Sequence, residues 1–524
     1  MLQRFSYRAA EPVFETLLTA AEGYPALERE FLAAQEEIWA GFRIFDPETR
    51  LRSPEARQVG ERWSDLVTHT LRRGVSINIA ITDFDPIAMP RLHRATWRSV
   101  RGLVAAAEIA EAPARLRVVA AMHPASTALA PRLCFWPLIF MREWRLAGWL
   151  NRLAPEIRAN ALREMPGLPS RLVARADGRL WPRFWPLPRI YPATHHHKLA
   201  VFDRRRLYIG GLDLDERRFD TPSHDRDADE TWHDVQLLLT GPAVAEAQHH
   251  LETFLAVTAG RSEPRRHRHL LRTLSRALPR PIFSFGPAPL IQEIADAHEH
   301  MARKARRMIY LETQYFRDLK LARYFARLAE ERPDLSMILI LPGAPEEVAF
   351  ARRISPDARF GEFLQTRAVR IVQNAFGRRI FVGAAAQPRG AERRCVQGHG
   401  RDHLNGAPIV YIHAKVSVFD DHAAIVSSAN LNGRSLRWDT EAGVALTDRT
   451  QVRALRRRVM AHWLPAGAGA AFFEPARAVS AWRAQALANL KALPEERRGF
   501  VLPYDVAAAE RDAKDLPLVP PELV

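Results

Sequence analysis

Cysteine is nearly missing from this chain: Cys134 and Cys395 are the only two in 524 residues. That is far too few for a disulfide framework and fits free thiols in a reducing compartment. Long uncharged apolar runs are missing too, so no transmembrane helix is expected. The opening residues, Met1-Leu2-Gln3-Arg4-Phe5-Ser6, carry no apolar run of a secretory signal. These absences point to a cytoplasmic protein that meets a membrane peripherally if it meets one at all. Lysine is the third rarity. Only six of the 76 basic residues are Lys, at positions 198, 304, 320, 415, 491 and 514.

What remains is an ordinary globular composition, 47% hydrophobic and 26% charged. It excludes a collagen-like or wholly disordered chain. The net charge of +16 implies an anionic partner, either phosphate, nucleic acid or an acidic lipid surface, without choosing among them. At roughly 150 residues per domain the length suggests three or four units, or two large ones.

Apolar periodicity alternates between helix and strand. The spacing predicts a helix over 28–41, a strand from Gly41 to Pro47, a helix from Glu55 to Arg73 stopped by Gly74, and a strand from Val75 to Ile81. A helix near 90–110 and the strand Leu116–Ala121 follow. After the basic stretch Arg261–Arg268 a similar series begins. It comprises a helix near 288–306, the strand Met308–Thr313, a helix over 317–331 and the strand Leu335–Leu341. A helix over 345–367 and the strand Ala368–Val372 complete it. This order predicts an α/β fold built twice. The expected units are 1–265, 266–495 and a Pro-rich, charged tail over 496–524, with a polar loop over 384–407.

Two segments repeat one pattern. His196-His197-Lys198-Leu199-Ala200-Val201-Phe202-Asp203 leads, six residues on, to Gly210-Gly211-Leu212-Asp213. His413-Ala414-Lys415-Val416-Ser417-Val418-Phe419-Asp420 leads, again six residues on, to Ser427-Ser428-Ala429-Asn430. Every matched position is offset by 217. Chance would supply about 0.01 His-x-Lys-x4-Asp matches in such a chain. His and Lys two apart on a strand share a face. Two such strands brought together would surround a phosphate with two cations and two imidazoles. Zinc is the rival for His195, His196 and His197. Neighbouring strand residues alternate faces, so three in a row cannot chelate one ion, and no metal or cofactor is expected.

These paired motifs resemble the phospholipase D superfamily. The resemblance spans about 25–480, and Thr231-Trp232-His233-Asp234-Val235, Ile309-Tyr310-Leu311-Glu312-Thr313-Gln314-Tyr315-Phe316 and Arg434-Ser435-Leu436 resemble its phosphatidylcholine-hydrolysing branch. It implies two fused α/β/α sandwich halves related by a pseudo-twofold, with one active site at their interface. It also implies a metal-independent double displacement through a phosphohistidine. His196 would be the nucleophile and His413 the acid/base, though the symmetry allows the reverse. Lys198 and Lys415, joined by Asn430 and Asp213, would hold the phosphate. Asp234 would support His413 and Glu441 would support His196. Asp203, Asp420, Gly210, Gly211, Ser427 and Ser428 would be structural. Gly211 and Asp213 depart from the Ser and Asn often found in the first turn.

Five of the 12 Trp lie between 136 and 185. With their Arg neighbours, Trp136, Trp144, Trp181 and Trp185 suit a lipid interface and are expected to border the pocket. The expected activity is phospholipase D-type cleavage or exchange of glycerophospholipid head groups, with water or an alcohol as acceptor. A cardiolipin synthase-type transferase and a nucleic-acid phosphodiesterase are the alternatives. Nucleic acid is the less favoured substrate, and a monomer is expected.

Overall fold

The computed structural model describes residues 13–278, 282–391 and 400–524. Two large sheets organise it. The first runs Phe14–Leu18, Val235–Leu239, Arg206–Gly210, Leu199–Phe202, Glu37–Phe42, Ser76–Thr82, Leu116–Ala121 in spatial order. The second runs Ala288–Gln292, Leu270–Arg276, Glu441–Leu446, Ala423–Ser427, Lys415–Phe419, Met308–Thr313, Ser336–Leu341, Ile380–Ala385, Val501–Pro503. Without its two edge strands, the second sheet repeats the first strand for strand. In each, three parallel strands adjoin an antiparallel set that begins at the His-Lys segment.

The motif strands are buried on both faces, as their unbroken apolar runs require. Leu199 and Val201 pack with Val416, Val418, Val426 and Val444 in one apolar cluster that joins the two halves. Ala200 and Phe202, on the opposite face, pack under the first half's own helices. Each fully buried Val or Leu contributes about 1.5–3 kcal/mol. The chain leaves each motif strand through an Asp in the left-handed region, Asp203 (φ 48°) and Asp420 (φ 50°). Asp tolerates that conformation. Each carboxylate then accepts three backbone N–H groups from the neighbouring segment: Gln35, Glu36 and Glu37 for Asp203, and Arg306, Arg307 and Met308 for Asp420.

Several sequence expectations shift. The run around Ile38 and Trp39 is strand, not helix; the helix before it is Thr19–Ala33. The helix expected from Glu55 starts at Trp63, after a short 3-10 turn at Ala56–Gln58. Ala368–Val372 is helical, because Pro356–Phe376 continues without a break until Gly377 at φ 57° ends it; the strand is Ile380–Ala385. The segment set apart as a tail supplies the sheet's edge strand Val501–Pro503 and the helix Val506–Asp512. Of the expected polar loop, 392–399, with Cys395, lies outside the described residues.

Between the strand Leu116–Ala121 and the first motif sits an insertion with a small core of Ala147, Leu150, Ala161, Met165, Leu168 and Leu172. Its helix Leu129–Asn151 hides Glu143 against Arg171 at 2.8 Å. Leu133, Leu138, Met141, Trp144, Phe184 and Trp185 are exposed on its outside. No helix among the described residues is long and apolar enough to cross a membrane.

Candidate active site

Both motifs open onto one cleft of about 370 Å³ at the junction of the halves. His196 and His413 line it together with Asn430, Trp232, Gln314 and four arginines, Arg43, Arg218, Arg317 and Arg434. Backbone crossing builds the junction. His196 N–H donates to Thr440 C=O at 2.7 Å, and His413 N–H donates to His233 C=O at 2.8 Å. Each motif histidine is therefore laid beside the segment of the other half that carries an acid at its next residue.

The side chains follow the same exchange. His196 Nδ1 lies 2.9 Å from Glu441 Oε1, and His413 Nδ1 lies 2.6 Å from Asp234 Oδ2. A carboxylate on Nδ1 fixes the tautomer that leaves Nε2 free to react. Ser428 donates to Glu441, and Gly211, the matching residue, leaves room for Asp234: a Cβ there would sit 2.2 Å from Asp234 Oδ1. Lys198 Nζ donates to His196 C=O at 2.6 Å and stands 3.7 Å from Asp213 Oδ2. Lys415 Nζ donates to His413 C=O and lies 3.5 Å from Gln314 Oε1.

Burial governs the charges. Burial pushes Asp234 up to about 6, against the pull of Lys415, and raises Glu441 against Lys198. Burial, reinforced by the lysines, drives His196 and His413 well below the ordinary histidine range. Lys415 falls to about 7 through burial, and Lys198 falls as well, each opposed by nearby carboxylates. An anionic phosphate bound there would favour the charged forms of the lysines and histidines.

Of the residues expected at the phosphate, neither Lys198 nor Lys415 is among those lining the cleft, and Asp213 is beside Lys198. Its carboxylate accepts Ile44 N–H at 2.9 Å and faces Lys198, and it is not among the residues lining the cleft. Asn430 does line it, with Oδ1 buried and unpartnered. Gly210 and Ser427 sit at the ends of their strands, where the chain turns toward the cleft. The Trp-rich segment, expected to border the pocket, does not line the cleft: neither Trp136, Trp144, Trp181 nor Trp185 is among its lining residues, and the chain first reaches it beyond the segment, at Thr194. The pocket arginines 43, 218 and 317 were not legible in sequence, since 70 Arg give no contrast. Trp232, Gln314 and Arg434 lay inside the motif-like segments and were not singled out.

The three consecutive histidines diverge. His195 Nδ1 meets Thr440 Oγ1 at 2.8 Å, His196 meets Glu441, and His197 Nδ1 meets His250 Nε2 at 3.0 Å. A different trio, His224, His233 and His462, brings one ring nitrogen each within 4.8 Å of the others and could hold a cation. Asp220 and Glu312 stand behind it on His224 and His233.

Residues 299–463 match the family model "Cardiolipin synthase, PLD-like domain". Phospholipase D alpha 1 of Nicotiana tabacum is 22% identical over 370 residues, covering 48% of this chain and 45% of that protein. Phospholipase D1 of Schizosaccharomyces pombe is 23% identical over 343 residues, covering 48% of this chain and 24% of that protein. The chain is thus similar to phospholipase D-like proteins, through a PLD-like domain in its second half and through these relatives. It spans less than half the length of these relatives. The solved phosphatidylserine synthase of Haemophilus influenzae Rd KW20 aligns with a TM-score of 0.47 at 12% identity, over 86% of this chain and 85% of that one. For this phospholipase D-like chain, the two-lobed α/β fold places both His-Lys motifs at one junction.

Proposed function

We propose that the protein is a phospholipase D-type phosphodiesterase and phosphatidyltransferase that cleaves or exchanges glycerophospholipid head groups. The observation that carries this reading is the reciprocal pairing of His196 with Glu441 and of His413 with Asp234, both histidines opening on one cleft. Family likeness to the plant and yeast enzymes supports it.

In the first step His196 Nε2 attacks phosphorus. The bond from phosphorus to the head-group oxygen breaks, and that oxygen takes the proton held on His413 Nε2. Glu441 stabilises the cationic character that His196 acquires, and Lys198, Lys415 and Asn430 hold the phosphoryl oxygens. In the second step an acceptor hydroxyl gives its proton to His413 while its oxygen bonds to phosphorus. The phosphorus–nitrogen bond breaks and His196 is restored. Water as acceptor gives phosphatidate; an alcohol gives a new phosphatidyl ester. Asp234 keeps His413 oriented through both proton transfers. Because the dyads are built alike by the two repeats, the two histidines could exchange roles without altering the scheme.

The lipid reading also gives the exposed apolar side chains of the insertion a use. Phe184 and Trp185 project beside the helix Leu129–Asn151, with Trp136 packed edge-on against Phe184 at 4.6 Å. Arg142, Arg145 and Arg183 flank them in sequence. Such a surface suits the boundary of an anionic bilayer.

The test is incubation with phosphatidylcholine vesicles and ethanol, beside phosphatidylglycerol vesicles and labelled single-stranded DNA. Phosphatidylethanol formation lost in His196→Ala and His413→Ala proteins is expected. Conversion of phosphatidylglycerol to cardiolipin as the faster reaction would favour the synthase reading, to which the matched domain's description points. DNA cleavage without lipid turnover would overturn both.

A further inference from the structure

Four arginines line the cleft; Arg43 lies over the Phe84 ring at 5.3 Å, and the other three differ in their partners. Arg434 is paired with Asp439 at 3.0 Å. Arg218 and Arg317 are 8% and 4% exposed, and among the described residues no side-chain or backbone acceptor takes their guanidinium hydrogens. Nε and Nη1 of Arg218 and Nε of Arg317 are buried without a partner. A guanidinium stays charged at any physiological pH, so it cannot relieve this by losing a proton.

Both side chains are nevertheless held firmly. Arg218 stacks 3.6 Å over the Trp232 ring, and Arg317 stacks 3.8 Å over the Tyr315 ring. Trp232 in turn lies 4.6 Å from the His413 ring, which puts Arg218 one aromatic ring away from a reacting group. Arg317 lies on bare helix backbone at Gly361, where a Cβ would come within 2.6 Å of its Cζ. Stacking fixes each plane and leaves the edges, where the donors are, free to meet a ligand.

The acidic side chains of the cleft do not supply the missing acceptors. Glu346 is paired with Arg217 at 2.6 Å, Glu347 accepts from the Tyr315 hydroxyl at 2.8 Å, and Asp439 is held by Arg434 and by Thr194 N–H. Asp357 is exposed, in the first turn of the helix Pro356–Phe376. The two motif lysines are turned to their own strands, beside the reacting histidines. Arg218 and Arg317 are thus a second set of cations, built into the cleft and separate from the pair that would hold the scissile phosphate.

We propose that Arg218 and Arg317 form a second oxoanion subsite, so that the donor or acceptor of this enzyme carries an anionic group in addition to the reacting phosphodiester. This rests on the lipid reading above and narrows its substrate class. The favoured head group is one bearing a phosphate or a carboxylate, and a quaternary-ammonium head group is the disfavoured one. Guanidinium edges suit either oxoanion, because each can be engaged by paired N–H donors.

Two measurements test it. The first needs no turnover: isothermal titration of the whole protein with inorganic phosphate. Two bound equivalents are expected, one lost in the Lys198→Met/Lys415→Met protein and the other in the Arg218→Gln/Arg317→Gln protein. Thermal melts confirm that each variant is folded, and single Arg→Lys replacements serve where the double variant is not. Phosphate binding unchanged by the arginine replacements would overturn the subsite. The second compares kcat/KM on vesicles of phosphatidylserine, of cytidine-diphosphate diacylglycerol and of phosphatidylcholine. The ratio of the better anionic donor to phosphatidylcholine should fall about 10- to 100-fold in the arginine variants, the size of one or two charge-assisted hydrogen bonds. The two anionic arms separate a carboxylate from a phosphate as the group recognised. A ratio unchanged by the variants would sink the specificity role. If no lipid is turned over, the function reading fails while the phosphate titration still decides the subsite.

Discussion

Asp234 Oδ2 lies 2.6 Å from His413 Nδ1, although the two residues come from different halves and are 179 positions apart. His196 and Glu441 make the reverse exchange, 245 positions apart. Neither half can therefore complete an acid–imidazole pair alone. Asp234→Asn keeps the shape but presents an amide that can orient the ring by the wrong face, stranding the proton on Nε2. We expect kcat to fall by about two to four orders of magnitude with a much smaller change in KM. Glu441→Gln should do the same through His196. Steady-state kinetics on phosphatidylcholine vesicles reads both. A loss confined to KM would assign these acids to binding instead.

Gly211 is required by that first pair rather than by backbone freedom. A Cβ at this position would stand 2.2 Å from Asp234 Oδ1 and 2.9 Å from its Cγ. At the matching place in the second half, Ser428 is accommodated because it donates to Glu441. Gly211→Ala should displace the Asp234 carboxylate, and His413 with it, lowering kcat roughly tenfold to a hundredfold. The thermal midpoint should move much less than the activity, which separates a misplaced acid from a misfolded chain.

Lys415 sets an alkaline limit. Burial lowers its ammonium to about 7, with Asp234 and Glu441 opposing. The unfolded chain holds this proton up to the ordinary lysine range, about 10.4. Between those values the unfolded state binds more protons, so the group's contribution to stability rises with pH through this window and is lost as pH falls to 7. Lys415→Met should flatten that rise in the thermal midpoint. Activity should move the other way: kcat/KM declines above about 7 as the free protein loses the cation. A bound phosphodiester restores the proton, so the decline of kcat should come at higher pH. Coincident alkaline limbs for kcat and kcat/KM would contradict this role.

The sheet strands around the motifs were legible because duplication at a fixed offset, with Lys so scarce, stands out against any background. The acids were reachable too, since Asp234 and Glu441 lie in segments that resemble family sequence. The arginines of the cleft were not, because guanidiniums are everywhere in this chain and only burial and stacking distinguish Arg218 and Arg317. The full set of contacts of Asp213 was out of reach for a related reason. Motif position put it near phosphate, and its carboxylate meets Lys198 of the same motif; the bond from Ile44 N–H, 169 positions away, shows only in the fold. Ala368–Val372 read as strand because a short apolar run cannot be assigned by periodicity alone; the helix Pro356–Phe376 that absorbs it is decided by packing.

Asp203 and Asp420 share the motif's name for its chemistry yet stand away from it. Each closes a turn in the left-handed region and gathers three backbone N–H groups, those on Asp420 at 2.7 to 3.0 Å. Removing one such carboxylate should destabilise the fold by about 2–3 kcal/mol, the size of a few partly exposed charge-assisted bonds. Asp420→Ala should lower the thermal midpoint and the soluble yield. The protein that remains folded should keep its kcat within a few-fold. A hundredfold loss in a fully folded Asp420→Ala protein would place this carboxylate in the chemistry after all.

The insertion offers the last test. Trp185 is 69% exposed, Phe184 61% and Trp144 58%, an outlay of aromatic surface that water does not reward. Trp181 differs, since Arg175 covers its ring at 3.6 Å, and it serves as an internal control. Phe184→Ala/Trp185→Ala should reduce co-sedimentation with anionic vesicles by about tenfold, from the loss of two interfacial aromatics. Trp181→Ala should change it little. Turnover of a short-chain, water-soluble phospholipid should be unaffected in the double variant, because none of these side chains lines the cleft. Equal vesicle binding by the wild type and the double variant would mean that this apolar face meets something other than a bilayer.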